Sequence, residues 1–324
     1  MKPVAFMMSL LLSLVPLASH ADERPINVTT SFSILGDMVQ EVGGDHVKVR
    51  SLISPEGDAH GYNPRPRDVG AITQADLVVF NGLQFEGWMS RLLDAAHYRN
   101  TVVIASDGIA PLKTQPEHDD DDHDHDADHD AHEHEEGHTH HHHHGPLDPH
   151  AWQDLRNGAQ YVRNIRDGLI KADPAHADDY RQRAEAYIAR INALDSKVRQ
   201  QMQQLPKDSV VITGHASFNY FANAYGLPFM ALQGLSTEDD PSAASVAELI
   251  RTVKARHVRA LFNESMTRSA LLNQLSQETK VPIAGTLHSD ALATDGDSST
   301  YLGMMQHNAD LLYNALRAPA ASQP

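Results

Sequence analysis

Short runs rich in valine and isoleucine alternate with stretches whose apolar residues recur every three or four positions, and this happens in two separate blocks. In the first block residues 26–30, 47–53, 76–81 and 101–105 read as strands, bounded by Gly, Asn or Pro. Between them residues 34–42, 67–74 and 88–96 carry the helical period. In the second block the strands fall at 209–213, 228–232, 260–263 and 281–286, separated by helical stretches at 218–225, 242–256, 268–279 and 300–316. Strands that alternate with helices in this way belong in parallel sheets with helices on both faces. The expected fold is therefore α/β, with two domains that each hold one such sheet.

A third kind of pattern joins the blocks. Asp173-Pro174 is a good helix start. From there Tyr180, Ala184, Tyr187, Ile191, Leu194, Val198, Met202 and Leu205 repeat every three or four residues, with no glycine or proline before Pro206. About 30 helical residues at 1.5 Å each span roughly 45 Å. One rigid helix of that length, residues 173–205, would run along both domains and hold them at a fixed separation. The domains would then cover residues 22–172 and 206–324.

Two segments stand outside this scheme. Residues 1–21 open with Lys2, continue through an apolar run from Val4 to Ala18 and end on Ser19-His20-Ala21. A basic start, a run too short to span a bilayer comfortably, and small residues before the cut describe a cleaved signal peptide. The second segment, residues 116–145, holds 12 of the 22 histidines and 12 of the 43 acids, with no Lys or Arg. Nothing in it can bury, so it is expected to be a disordered loop. Histidine at this density beside carboxylates offers many weak ligand sets for borderline cations.

Composition sharpens the picture at two points. The net charge of −17 comes mostly from that loop, so the body is only mildly acidic and has no basic surface for nucleic acid. There is no cysteine, which excludes thiolate metal sites, disulfides and a thiol-linked lipid anchor. A soluble periplasmic monomer is the simplest expectation.

The candidate chemistry lies in histidines outside the loop. His46, His97, His176 and His257 sit in polar contexts and read as solvated surface groups, and His307 as a packed helical residue. Three others each follow a predicted strand: His60 in DAHGYNP, His150 in DPHAW and His215 in TGHASFNYFANAYGL. Asp290, in TLHSDALATDGDSSTYLGMM, occupies the same topological place. Loops beyond the carboxyl ends of strands are where open α/β sheets bind ligands. Two groups from each block put the site in the cleft between domains.

Together DAHGYNP, DPHAW, the long central helix, GHASFNYFANAYGL, the GLSTEDDPS loop and the SDALATDGDSSTYLGMMQHN tail resemble one family across nearly the whole mature chain. It is the zinc/manganese solute-binding family of ABC importers (cluster A-I). The resemblance implies metal ligands at His60, His150, His215 and Asp290, with water the alternative to Asp290 as fourth ligand. It also implies an ABC permease in the inner membrane as partner. A soluble periplasmic zinc chaperone is a further candidate partner. Family members that carry manganese usually have a carboxylate where this chain has His215. Three imidazoles and one carboxylate favour Zn²⁺. His288 departs from the family pattern as a stray ligand, a donor to a ligand or an ordinary turn residue. Glu86, Glu238, Asp239 and Glu264 are candidates for orienting the imidazoles. The expected function is capture of Zn²⁺ for import, without catalysis. Manganese or iron binding, a zinc buffer or metallochaperone, and a zinc hydrolase are the alternatives.

Overall fold

The computed structural model describes residues 24–113, 147–238, 243–256, 258–266 and 270–317. The expected signal peptide and the whole of the expected His-rich loop lie outside the described residues, as do Asp239 and His257. Two four-stranded sheets, parallel throughout, have the same strand order. The first runs β2-β1-β3-β4, built from β1 (Ile26–Thr30), β2 (Val47–Ser51), β3 (Leu77–Phe80) and β4 (Thr101–Ile104). The second runs β6-β5-β7-β8, built from β5 (Val211–Thr213), β6 (Phe229–Ala231), β7 (Leu261–Glu264) and β8 (Ile283–Leu287). In both, the first strand lies inside the sheet and the chain reverses direction of travel beside it. That crevice is where such sheets place a ligand.

Helices α1 (Ser33–Gly43), α2 (Pro66–Thr73), α3 (Met89–Ala95) and α4 (Leu155–Ala172) accompany the first sheet. The long helix α5 (Ala177–Gln203) packs against α1 and α4 of the first lobe and against α6 (Asn219–Tyr225) and α9 (Tyr301–Arg317) of the second. Its 27 residues make a rod about 40 Å long. The expected apolar stripe is the one it buries: Tyr180, Ala184, Tyr187, Ile191, Val198 and Met202. The start differs from the expectation. Residues Pro174–His176 form a 3-10 turn before α5, and Asp173 makes no capping bond to backbone. Its carboxylate instead accepts from the Tyr180 hydroxyl at 2.6 Å and meets His176 Nδ1 at 2.7 Å. His176 also stacks on His46 at 3.8 Å, so these two are a half-buried pair and not the separate solvated groups expected.

The apolar core does not stop at the lobe boundary. One cluster runs from the first sheet through α1, α4, α5 and α9 to the inner face of the second sheet, which it reaches at Val211, Phe262 and Leu287. Val210, Ile212 and Leu261 point the other way, into a second cluster completed by α7 (Ala243–Ala255) and α8 (Ala270–Thr279). Strand alternation produces this division, since successive side chains leave opposite faces of a sheet. Gly158 allows α4 and α9 to meet closely: a Cβ there would lie 2.9 Å from Tyr301 Cζ. No helix among the described residues is long and apolar enough to cross a membrane.

Candidate metal centre

His60, His150, His215 and Asp290 converge. One donor atom from each lies within 4.8 Å of the other three, and all four side chains are buried. His60 is on the loop that follows β2, and His150 begins a 3-10 turn ahead of α4. His215 follows β5, and Asp290 follows β8. The three imidazole centroids form a triangle with every side 5.4 Å. Their Nε2 atoms turn inward. Nε2 of His60 and His150 are 3.4 Å apart, and Asp290 Oδ2 lies 3.2 Å from His60 Nε2 and 3.0 Å from His215 Nε2. Donors held about 2.0–2.1 Å from a tetrahedral centre stand about 3.3–3.4 Å from one another. The spacing suits one small cation.

Electrostatics points the same way. Asp148, Glu264 and Asp290 bring three buried carboxylates around three imidazoles. Burial by itself raises the Asp290 carboxyl, but His215 and His150 outweigh it and hold the group well below the usual range. Asp290 Oδ1 is buried with no hydrogen-bond partner. A buried anionic oxygen in that position is costly unless a cation compensates it. Burial pushes His60 below the usual imidazole range. His215 is likewise opposed by burial, yet the charges of Glu264 and Asp290 lift it well above that range. Glu264 is held below the carboxylate range, because His215 outweighs the effect of burial.

Each histidine is held from behind. Glu264 Oε1 accepts the His215 backbone N–H at 2.8 Å, and Oε2 sits 2.6 Å from His215 Nδ1. A bulge in β7 at Leu261/Phe262 shifts the register just before Glu264. Asp148 Oδ1 meets His150 Nδ1 at 2.8 Å and accepts the His150 backbone N–H at 2.9 Å. Fixing Nδ1 in this way leaves the Nε2 lone pair free and facing the centre. Asp58 Oδ1 accepts the His60 backbone N–H at 2.9 Å. Of the orienting carboxylates expected from sequence, Glu264 is in place. Glu86 is not beside an imidazole: it accepts from the Ser31 hydroxyl at 2.6 Å and from the backbone N–H of Asn81 at 2.8 Å and Gly82 at 3.2 Å. Asn81 in turn donates to the Pro149 carbonyl at 2.9 Å, one residue before His150. Glu238 lies beside Gly61.

Sequence reasoning passed over Asp148 and Asp58, although both stand two residues before a singled-out histidine. It also passed over the wall behind the site. Phe85 lies edge-on to His60 at 4.9 Å and to His150 at 5.9 Å, and Trp152 and Phe32 close the wall at 5.0 and 5.2 Å from Phe85. Trp152 Nε1 and Gln153 Nε2 both donate to the Ser289 carbonyl, at 2.8 and 2.7 Å, and so place Asp290. His288 turns away from the centre. Its backbone exchanges two hydrogen bonds with Asn308, and its ring lies against His307 at 5.3 Å.

Comparison with known proteins supplies the context. The family described as zinc-uptake complex component A, periplasmic, matches residues 28–315. The manganese ABC transporter substrate-binding lipoprotein ScaA of Streptococcus gordonii is 26% identical over 332 residues, 98% of this chain and 99% of its own. The iron-binding protein YfeA of Yersinia pestis is 28% identical over 308 residues, 93% of this chain and 91% of its own. The solved periplasmic zinc-binding protein TroA of Treponema pallidum superposes with a TM-score of 0.79 at 28% identity, over 91% of this chain and 100% of TroA. The family is one of substrate-binding transport proteins and not of enzymes, so the hydrolase alternative falls away. With its fold, its buried four-residue centre and a match over nearly its whole length, the chain belongs to the family of substrate-binding components of metal ABC transporters.

Proposed function

We propose that this chain captures Zn²⁺ in the periplasm with His60, His150, His215 and Asp290 and delivers it to an ABC permease in the inner membrane. The observation that carries the reading is the set of three inward Nε2 atoms and one carboxylate oxygen, all within 4.8 Å of one another. A nitrogen-rich, four-donor site suits zinc, whereas manganese and iron favour more oxygen and higher coordination. The relatives named for manganese and iron support a second reading, and so does Asp290 Oδ1, which accepts no hydrogen bond and offers one more hard donor. In this proposal residues 1–21 are removed on export, residues 22–172 and 206–324 form the lobes, and residues 173–205 space them. Residues 116–145 raise the local zinc concentration as a tethered weak site.

Competition titrations with Zn²⁺, Mn²⁺ and Fe²⁺ test the metal. Zinc should bind at least 100-fold more tightly than manganese, and a preference for manganese would refute the zinc assignment. Single changes of His60, His150 or His215 to Ala should abolish the tight site. Affinities that stay within twofold in all three would refute the centre itself. Imidazole ligands must be deprotonated, so affinity should fall as pH drops, and the fall should begin above the ordinary imidazole range because Glu264 and Asp290 hold the His215 proton there. Equal affinities at pH 7.5 and 5.5 would count against imidazole ligation.

A further inference from the structure

Every polar atom of Asp148 is committed, and the commitments lead to three places. Its N–H donates to the Leu112 carbonyl at 2.9 Å, and its carbonyl accepts from the Tyr220 hydroxyl at 3.0 Å. Its Oδ1 takes both the backbone N–H and ring Nδ1 of His150. Its Oδ2 accepts from Asn219 Nδ2 at 2.9 Å. Asn219 and Tyr220 open α6 in the second lobe, while Asp148 and His150 belong to the first. The same carboxylate therefore aims an imidazole at the metal centre and grips the opposite lobe. On the other side of the centre Asp58 bridges the lobes too, since its Oδ2 accepts from the Thr237 hydroxyl at 2.7 Å. Its bond to His60 goes to the backbone N–H.

We propose that Asp148 is a positioning residue that couples the coordination of His150 to closure of the two lobes, with Asn219 as the gripping half of the couple. The inference rests on the metal-binding reading above. When the lobes part, Oδ2 loses Asn219, and the carboxylate that holds the His150 ring is free to turn. Opening then loosens a metal-binding imidazole before any group touches the metal. A transport partner that pulls α6 away from the first lobe speeds release by this route. Asp58–Thr237 closes the lobes with no bond to an imidazole ring in the path.

The test is a double-mutant cycle on the Zn²⁺ dissociation rate, measured by stopped flow into excess chelator. It uses the full chain and the variants Asn219→Ala, Asp148→Asn, Thr237→Ala and their combinations. Asn219→Ala, which removes a group that touches no metal-binding side chain, should speed dissociation about tenfold in the wild-type background. In Asp148→Asn two amide N–H groups face each other, so the further loss of Asn219 should change the rate less than twofold. Thr237→Ala should have the same effect in both backgrounds. Asn219→Asp, which sets a second carboxylate against Asp148, should speed dissociation more than Asn219→Ala does. Unchanged rates in both Asn219 variants, or an Asn219→Ala effect equally large with and without Asp148→Asn, would overturn the coupling. Failure of the metal-binding reading looks different: wild-type protein would then show no tight zinc, or His150→Ala would keep it.

Discussion

Replacing Glu264 by Gln separates the role of the charge behind His215 from the role of its shape. Glu264 is 2% exposed, and both its oxygens face His215, one on the backbone N–H at 2.8 Å and one 2.6 Å from Nδ1. For Nε2 to bind a metal, Nδ1 must carry the ring proton and needs an acceptor beside it. Glutamine has one acceptor where glutamate has two. If its oxygen keeps the backbone N–H, its NH₂ confronts Nδ1 and drives the ring proton to Nε2, where it competes with the metal. Loss of such a partner costs about 10–100-fold in metal affinity, or roughly 1.4–2.7 kcal/mol. Zinc titration against a chromophoric chelator at pH 7.5 reads this directly. The loss should also flatten the fall of affinity as pH drops, because part of the lifted affinity of the ring for its proton in the metal-free protein comes from Glu264 and goes with it. A variant within twofold of wild type at pH 7.5 would show that the Glu264–His215 contact does not tune the centre, and the reasoning from buried partners would fail.

Deleting residues 116–145 should remove weak zinc equivalents and leave one tight site, as equilibrium dialysis would show. Loss of all binding would favour a zinc buffer over an importer component. Gly158→Ala places a methyl group against the Tyr301 ring between α4 and α9 and should cost about 1–3 kcal/mol in urea denaturation. An unchanged midpoint would mean that the two helices do not meet as described. Burial lifts the Glu86 carboxyl to about 7, above its ordinary 4.5, so the folded protein holds this proton more tightly than the unfolded chain. Its contribution to stability is therefore present below about pH 4.5 and lost as pH rises to about 7, by roughly 1.4 kcal/mol for each pH unit of that window. Measured by chemical denaturation, Glu86→Gln should gain on wild type by that slope between pH 5 and 7. A stability difference that does not vary with pH would refute the assignment.

Much of this protein is legible along the chain. Period-2 and period-3.6 patterns are local properties of neighbouring residues, and they set out eight strands, the long helix and the alternation that makes both sheets parallel. The histidines His60, His150 and His215 and the carboxylate Asp290 stood out because each follows a strand, the position from which a loop can reach a cleft. What holds those four in place was not legible, with Glu264 alone foreseen as an orienting partner. Asp148 reads as the first letter of a short motif, and only folding reveals that it also meets Asn219 from the other lobe. Glu86 reads as a candidate partner for an imidazole, and only folding turns it onto Ser31 and the Asn81 turn. His288, two residues from Asp290, is sent the other way by Asn308, a partner 20 residues on. Periodicity records which face of an element meets the core, because burial acts on each residue by itself. The partner of a buried charge depends on which distant segments the finished fold brings within about 3 Å, and no local pattern carries that distance.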